Sequence, residues 1–214
     1  VLNAIESKQV SMFFGVPTMY HRLIEHPQIQ KMKKMRLCVS GSAPLPAFLH
    51  RQFNKDVGIQ VLERYGMTET VMLVSNPYEG ERRPGTVGFS LPGVRLKLEE
   101  GSGEILVNGP NVFEGYWNRP DADSESFSSD SVSRWFRTGD LGELDEGGYL
   151  KIVGRKKELI ISGGYNVYPR EVDDVLITHP DIEEVAVAGV PSKEWGEEVV
   201  AWIVPSPNQE APTL

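Results

Sequence analysis

Cysteine is almost absent from this chain of 214 residues, which contains only Cys38. A single cysteine cannot form a disulfide bond within the chain, and Cys38 lies in a short apolar run where a small core residue is expected. Structural disulfide bonds are typical of oxidising compartments, so this cysteine usage fits a reducing one. We therefore expect an intracellular protein of the cytoplasm or of an organelle matrix.

Long apolar runs are also missing. No run approaches the roughly 20 apolar residues that cross a bilayer, and the first residues, with Asn3, Glu6 and Lys8, do not form the core of a signal peptide. The formal net charge is −8, which argues against a general nucleic-acid or anionic-membrane surface. The sequence predicts a soluble globular protein with no transmembrane segment and no nucleic-acid partner.

The most informative stretch covers residues 60–70, whose apolar beginning predicts a buried strand. Gly66 ends this strand where Tyr65, Thr68 and Glu69 would reach its carboxyl end, the end at which open α/β sheets bind ligands. An aromatic ring for a base, a hydroxyl for a phosphate and a carboxylate for a metal favour a nucleotide site. A buried strand that simply runs into a polar turn is the structural alternative for this motif alone.

A second polar turn is predicted beside the first. Residues 35–40 predict a buried strand, and the prolines that follow open a helix that ends at Gly58. A strand-helix-strand unit predicts two parallel strands, so residues 41–45 and 65–69 would leave the same edge of the sheet. Two weak motifs would then belong to one site.

The chain changes its period at Val94, where apolar and polar residues begin to alternate and predict a β hairpin. Residues 118–133 predict a polar surface segment with one anchoring side chain, Phe127. After the basic stretch at 155–157, Pro169 opens a helix in which Val172, Val175 and Leu176 are predicted to share a face. Two strands are predicted to follow it, over residues 185–189 and 199–204, before a proline-rich closing loop.

The predicted fold class is α/β, with an α+β arrangement of several subdomains. Residues 1–93 would be the last part of an α/β nucleotide-binding subdomain, residues 94–156 a β subdomain, and residues 157–214 an incomplete second domain. The chain begins within an amphipathic helix and without methionine. We therefore expect a piece of a longer protein, with further parts before and after it.

Four motifs occur in order along the chain: Gly41-Ser42-Ala43-Pro44-Leu45, Tyr65-Gly66-Met67-Thr68-Glu69, Trp135-Phe136-Arg137-Thr138-Gly139-Asp140 and Gly154-Arg155-Lys156-Lys157-Glu158. In this order they resemble the adenylate-forming superfamily, which includes acyl-CoA synthetases, luciferases and the adenylation domains of peptide synthetases. The resemblance covers nearly the whole chain. It implies part of the large N-terminal domain of that fold, followed by the start of its small C-terminal domain.

The resemblance implies an acid–thiol ligase that first activates a carboxylic acid with ATP and then transfers the acyl group to CoA. Catalytic roles would fall to Thr68, at the α-phosphate, and to Glu69, which would also bind Mg²⁺. The residues implied to contact ATP or CoA are Gly41, Ser42, Ala43, Pro44, Glu63, Tyr65, Gly66, Asp140, Arg155, Gly163 and Gly164.

Within this group, the first turn would pass its backbone along the adenine and Tyr65 would stack on the base. Asp140 would accept the ribose hydroxyls, and Arg155 would reach the same region. Lys157 occupies the position of the family's hinge, about which the small domain rotates between the half-reactions. Gly163 and Gly164 match the loop beside the pantetheine channel, although an ordinary turn is the alternative for them.

The stretches at residues 16–23, 63–70, 75–78 and 83–88, together with Met72, make the chain most similar to the malonyl-CoA synthetases among acyl-CoA synthetases. A second carboxylate on the substrate would need a cationic partner, and Arg22, Arg51 and Arg82 are the candidates, with Met72 as a wall of the acyl pocket. A medium- or long-chain fatty acid remains the alternative substrate. A peptide-synthetase adenylation domain and a non-catalytic adenylate-binding fragment remain alternative functions.

The family's glycine-rich phosphate loop and its C-terminal catalytic lysine are not found in residues 1–214. The resemblance therefore implies weak adenylation, or none, by this polypeptide alone.

Overall fold

A computed structural model of the chain describes residues 1–207 and contains three β sheets. The first sheet is mixed, with three parallel strands followed by two short antiparallel ones, in the order in which they occur along the chain. Its strands are β1 (Met12–Gly15), β2 (Leu37–Ser40), β3 (Leu62–Tyr65), β4 (Val74–Ser75) and β5 (Phe89–Ser90). The predicted parallel pairing of β2 with β3 is confirmed.

Helices cover one side of this sheet: α1 (Leu2–Ser7), α2 (Pro17–Ile24), a 3-10 helix (Ile29–Lys34) and α3 (Ala47–Val57). Pro17 begins α2 because its fixed φ suits the first helical turn. Gly58 ends α3 in the left-handed conformation, at φ 77°, as predicted. Tyr20 joins these layers, because its ring lies edge-on to Phe53 and its hydroxyl donates to the carbonyl of Val39 at 2.8 Å.

The second sheet is antiparallel, with β10, β9, β7 and β6 in that order and β8 paired to β9. Its strands are β6 (Arg95–Leu98), β7 (Glu104–Asn108), β8 (Phe127–Ser129), β9 (Arg134–Leu144) and β10 (Leu150–Arg155). The predicted hairpin is formed by β6 and β7. Leu150 ties this sheet to the first one, because its backbone bonds to Val87 and to Gly88, each at 2.8 Å.

Residues 118–133 lie at the surface, as predicted, since none of them is buried, but they also form regular structure that the sequence did not predict. They include α4 (Pro120–Ser126) and then β8. Pro120 occupies the first turn, and the acidic residues Asp121 and Asp123 in that turn favour a helix N-terminus. Phe127 is the anchor that the sequence predicts, because its ring packs against Phe136 with ring centroids 5.3 Å apart.

The third sheet is antiparallel, with β12, β11, β14 and β13 in that order. A 3-10 helix (Lys156–Glu158) leads into β11 (Ile160–Ser162), β12 (Tyr165–Val167), α5 (Pro169–Leu176), β13 (Ile182–Ser192) and β14 (Gly196–Pro205). The last two strands are longer than predicted, because they pair with each other along their whole length. Pro205 therefore belongs to β14 rather than to a closing loop, and Pro212 lies outside the described residues.

Helix α5 begins at Pro169 as predicted, and the spacing of Val172, Val175 and Leu176 places them on one face of it. Val172 and Leu176 are partly buried, whereas Val175 is 69% exposed. Between residues 1 and 207, no helix is both long enough and apolar enough to cross a membrane. The mixed α/β class is confirmed, while the domain boundaries after residues 93 and 156 stay predictions.

Candidate nucleotide-binding site

A cavity of about 300 Å³ lies at the carboxyl ends of the parallel strands, where the second sheet and α5 meet the first sheet. Seven of the predicted site residues line it: Ser42, Ala43, Pro44, Tyr65, Gly66, Asp140 and Arg155. The turns after β2 and β3 thus share one cavity, as the parallel topology requires. Gly41 lies just behind it, next to the side chain of Arg64.

The central feature of the cavity is a contact among three predicted residues. The hydroxyl of Tyr65 donates to Asp140 Oδ2 at 2.6 Å, and Arg155 Nε lies 3.1 Å from Asp140 Oδ1. Asp140 and Arg155 are register partners on β9 and β10, and the side chain of Asp140 is buried whereas that of Arg155 is 53% exposed. Burial raises the pKa of Asp140, while the Tyr65 hydrogen bond and the Arg155 charge oppose that shift.

Gly139 shapes the segment that presents Asp140. Its φ of 72° lies in the left-handed region, which favours glycine. Its N–H donates to Glu104 Oε1 at 3.2 Å, and the N–H of Asp140 donates to Thr138 Oγ1 at 3.1 Å. The pairing of β7 with β9 is irregular at this point. Such a β bulge changes the direction of the side chains that follow it, here that of Asp140.

Gly66 is required by close packing as well as by its place in the cavity wall. A Cβ atom at this position would lie 2.0 Å from the carbonyl oxygen of Val71 and 2.9 Å from the Cα atom of Met72. The chain therefore folds back on itself directly after Tyr65. This turn brings Thr68 and Glu69 to the neighbouring cleft.

The neighbouring cleft, of about 860 Å³, is lined by the remaining predicted phosphate and hinge residues, Thr68, Glu69 and Lys157. It shares Ser42, Gly66, Met67 and Arg155 with the first cavity, so the two are adjacent. Together we call them the nucleotide site.

Tyr116 was missed by the sequence-based prediction. Its hydroxyl donates to Glu69 Oε1 at 3.0 Å, and the backbone N–H of Phe113 donates to the carbonyl of Glu69 at 2.8 Å. The pKa of Tyr116 is raised by burial and by this hydrogen bond. No motif signals this role, because Tyr116 lies 47 residues from Glu69 in sequence.

Glu63 was predicted to contact the cofactor, but it lies behind the cavity wall. Only 2% of the residue is exposed, and its Oε1 accepts the N–H of Leu45 at 2.7 Å. Its Oε2 has no hydrogen-bond partner in the described part of the chain. Burial raises the pKa of Glu63 to about 8. Glu63 therefore supports the turn of residues 42–44 rather than lining the cavity.

Gly163 and Gly164 lie apart from the nucleotide site. They form the turn between β11 and β12, with φ values of 58° and 85°. A Cβ atom on Gly163 would lie 2.8 Å from the ring of Trp195, whereas one on Gly164 would meet no atom within 4 Å. Their position beside a CoA channel stays a prediction.

The predicted acyl-pocket residues are not brought together. Arg82 donates to the carbonyl groups of Pro77, Gln60 and Tyr78 at 3.0, 2.7 and 2.6 Å, so its guanidinium group fastens a loop. Arg22 lines a separate cavity near the first residues. Arg51 is exposed on α3, and Met72 lines neither cavity of the nucleotide site.

Two further arginines line the first cavity and were not predicted there. Arg64 lies next to Tyr65, with its guanidinium carbon 5.2 Å from the ring centroid of Phe14. Arg170 comes from α5, and its Nε lies 3.4 Å from Asp174 Oδ2. Only the packing of α5 against β10 brings Arg170 to this cavity, so no local pattern predicts it.

Comparison with known protein families identifies the chain. The model of the AMP-binding enzyme family matches residues 1–117, and the model of the AMP-binding enzyme C-terminal domain matches residues 171–214. The chain belongs to the AMP-binding enzyme family. This confirms the predicted resemblance.

Three similar proteins illustrate the relationship. A malonate–CoA ligase of Arabidopsis thaliana is 42% identical over 91% of this chain and 34% of its own length. A long-chain-fatty-acid–CoA ligase of Bacillus subtilis is 38% identical over 99% of this chain and 40% of its own length. The crystal structure of ATP-bound MatB from Rhodopseudomonas palustris has a TM-score of 0.91 and 43% identity, over 99% of this chain and 43% of that one. The chain thus spans less than half the length of each of these relatives.

Proposed function

We propose that this family member is part of an AMP-forming acid–CoA ligase. The observation that carries the proposal is the contact of Tyr65 and Arg155 with the buried Asp140, in a cavity adjacent to the cleft that Glu69 lines. One end of the site has an aromatic ring, a cation and a carboxylate that can accept hydrogen bonds from hydroxyl groups, and the other end has a second carboxylate. This arrangement suits a nucleoside triphosphate.

The adenosine part of ATP would occupy the first cavity. The turn of residues 42–44 and the ring of Tyr65 would enclose the base, since both line this cavity. A carboxylate has about four acceptor positions, and Asp140 uses two of them for Tyr65 and Arg155. The remaining positions would accept the ribose hydroxyls.

The phosphates would lie in the second cleft with Mg²⁺. The part of the chain that the structure describes has no cluster of three or more metal-ligating side chains. One carboxylate fits Mg²⁺, because this ion commonly uses one or two protein carboxylates and completes its octahedron with phosphate oxygens and water. Glu69 would be that ligand, held by Tyr116, and Thr68 would donate to the α-phosphate.

The reaction would proceed in two half-reactions. A carboxylate oxygen of the acid attacks the α-phosphorus of ATP, and the bond to pyrophosphate breaks, which gives an acyl-adenylate. The sulfur of CoA then attacks the acyl carbon, the thiol proton is lost, and AMP leaves. Residues of this chain would position the reactants and stabilise the charge of the transition states. Rotation at Lys157 would move the small domain from its arrangement in the first half-reaction to that in the second.

We propose malonate as the acid and a long-chain fatty acid as the alternative, because relatives of both names are similar to this chain. Arg64 and Arg170, which line the first cavity, replace Arg22, Arg51 and Arg82 as our candidates for the cation that would pair with the second carboxylate of malonate. We further propose that the enzyme works inside the cell, with ATP, CoA and a small carboxylic acid as its partners and without nucleic acid.

The test is a CoA-ligase assay of the full-length protein with malonate, methylmalonate, acetate and octanoate, accompanied by pyrophosphate exchange. We expect malonate-dependent exchange and malonyl-CoA formation. Exchange without CoA transfer would favour a peptide-synthetase adenylation domain, and no exchange with any acid would contradict the proposed ligase.

A further inference from the structure

Two carboxylates and two cations form an ion network between the second sheet and the segment that leads to the third sheet. Glu104 Oε2 accepts from Lys156 Nζ at 2.8 Å and also from Arg137. Glu99 Oε2 accepts from Arg137 at 2.8 Å and lies 3.7 Å from Lys156 Nζ. We call these four residues the Glu104 network. Its charges balance, and it lines the second cleft through Glu104, Arg137 and Lys156.

Glu104 is the buried member of this network. Only 3% of its side chain is exposed, against 47% for Lys156 and 30% for Glu99. A buried carboxylate is costly unless its oxygens are paired, and both oxygens of Glu104 have partners. Its second oxygen, Oε1, accepts the N–H of Gly139, the residue directly before Asp140. One side chain therefore contacts both the bulge that presents Asp140 and the residue that precedes Lys157.

We propose that Glu104 is a positioning residue for the proposed ligase. The catalytic consequence of this proposal rests on the proposed function. Glu104 holds Lys156 on the second sheet, so the small domain turns at Lys157 and not before it. Without this bond, the change of backbone angles would spread back to Arg155 and draw its guanidinium group away from Asp140. The same carboxylate holds Gly139, which keeps Asp140 directed into the first cavity.

The first test uses Lys156→Met in the full-length protein, with Lys55→Met as the matched control. Lys55 is an exposed lysine of α3, far along the chain from the network. Because Lys156 is about half exposed, the effect of its loss is modest, and we expect hydrogen exchange at residues 155–158 to become roughly two- to fivefold faster. Lys156→Arg should restore the slower exchange. An exchange rate equal to that of Lys55→Met would overturn the proposal.

The second test separates positioning from general destabilisation. Adenylation is measured by pyrophosphate exchange, and thioester formation is measured from pre-formed acyl-adenylate and CoA. A loosened joint should change the ratio of these two rates and raise KM for ATP, whereas simple loss of folded protein lowers both rates equally. An unchanged ratio in Lys156→Met and in Glu104→Gln would contradict the role of Glu104.

A double-mutant cycle of Glu104→Gln and Lys156→Met completes the design. Residues in direct contact give non-additive effects, so we expect the double variant to exchange no faster than the more affected single variant. Additive effects would overturn the proposed coupling.

If the wild-type protein performs neither half-reaction with any acid, the proposed ligase fails, while hydrogen exchange still decides whether Glu104 holds the joint. If Glu104→Gln does not fold, Lys156→Met and Lys156→Arg decide it.

Discussion

Tyr65 and Asp140 are 75 residues apart in sequence, and the hydroxyl of Tyr65 donates to the carboxylate of Asp140 at 2.6 Å. This bond joins the first sheet to the second at the point where both line the same cavity. It also gives Tyr65 two functions in the proposed site, since its ring would contact the base while its hydroxyl orients the ribose acceptor.

Tyr65→Phe should weaken nucleotide binding while leaving the fold intact. The ring remains, but Asp140 loses a charge-assisted hydrogen bond, which typically contributes about 1.5 to 3 kcal/mol, so roughly a tenfold rise in Kd for ATP is expected. Isothermal calorimetry of the full-length protein measures this. Tyr149→Phe is the control, because the Tyr149 hydroxyl donates to the carbonyl of Glu81 and does not line the nucleotide site. Equal effects of both variants would contradict the assignment.

Tyr116→Phe should raise the Mg²⁺ requirement of adenylation. The hydroxyl of Tyr116 orients Glu69, and loss of an orienting contact to a metal ligand typically costs about tenfold or more in metal affinity. A Mg²⁺ titration of pyrophosphate exchange at saturating ATP and acid gives the midpoint. Glu69→Gln should shift it further because the ligand itself loses its charge. If the Tyr116→Phe midpoint equals that of wild type, Tyr116 does not act through the metal.

Glu63→Gln should change how stability depends on pH. Burial raises the pKa of Glu63 from 4.5 to about 8, so the native state binds more protons than the unfolded state within that window. The wild type therefore loses stability as pH rises from about 4.5 to about 8, by an amount on the order of a few kcal/mol. Glutamine cannot ionise, so the variant does not lose this stability. The melting temperature of the variant minus that of wild type should therefore be larger at pH 8 than at pH 5. Thermal unfolding at both pH values tests this.

The control for that experiment is Glu184→Gln, an exposed position on β13. Its difference from wild type should be the same at both pH values. If Glu63→Gln behaves in the same way, the carboxyl group of Glu63 does not have a raised pKa.

Gly164→Leu should impair thioester formation and spare adenylation. Its added side chain would project into open space where the proposed CoA channel lies, away from the nucleotide site. Gly101→Leu is a matched control, because Gly101 has a similar φ of 83° and equally open surroundings in another hairpin. Thioester formation from pre-formed acyl-adenylate distinguishes the two. Equal losses in both variants would assign the effect to backbone strain.

Local pattern in the sequence determined the parallel strands β2 and β3 and the hairpin of β6 and β7, and the resemblance to the adenylate-forming superfamily implied seven of the residues in the first cavity's wall. Alternating or continuous apolar residues and the stops at Gly58 and Gly66 are short-range signals, and the crossover rule then aligns two turns at one edge. The same signals failed for α4, because this short polar helix has no buried residue and therefore no apolar period that could reveal it.

Only the tertiary structure decided which side chains serve the site and which serve the fold. Glu63 and Arg82 have the residue types expected of ligands, yet Glu63 is buried behind the wall and Arg82 is bonded to three carbonyl groups. Tyr116, Glu104 and Arg170 reach the site through contacts between segments that are distant in sequence. Residue type and local period are properties of the sequence, whereas burial and hydrogen-bond partners arise only when the sheets pack together.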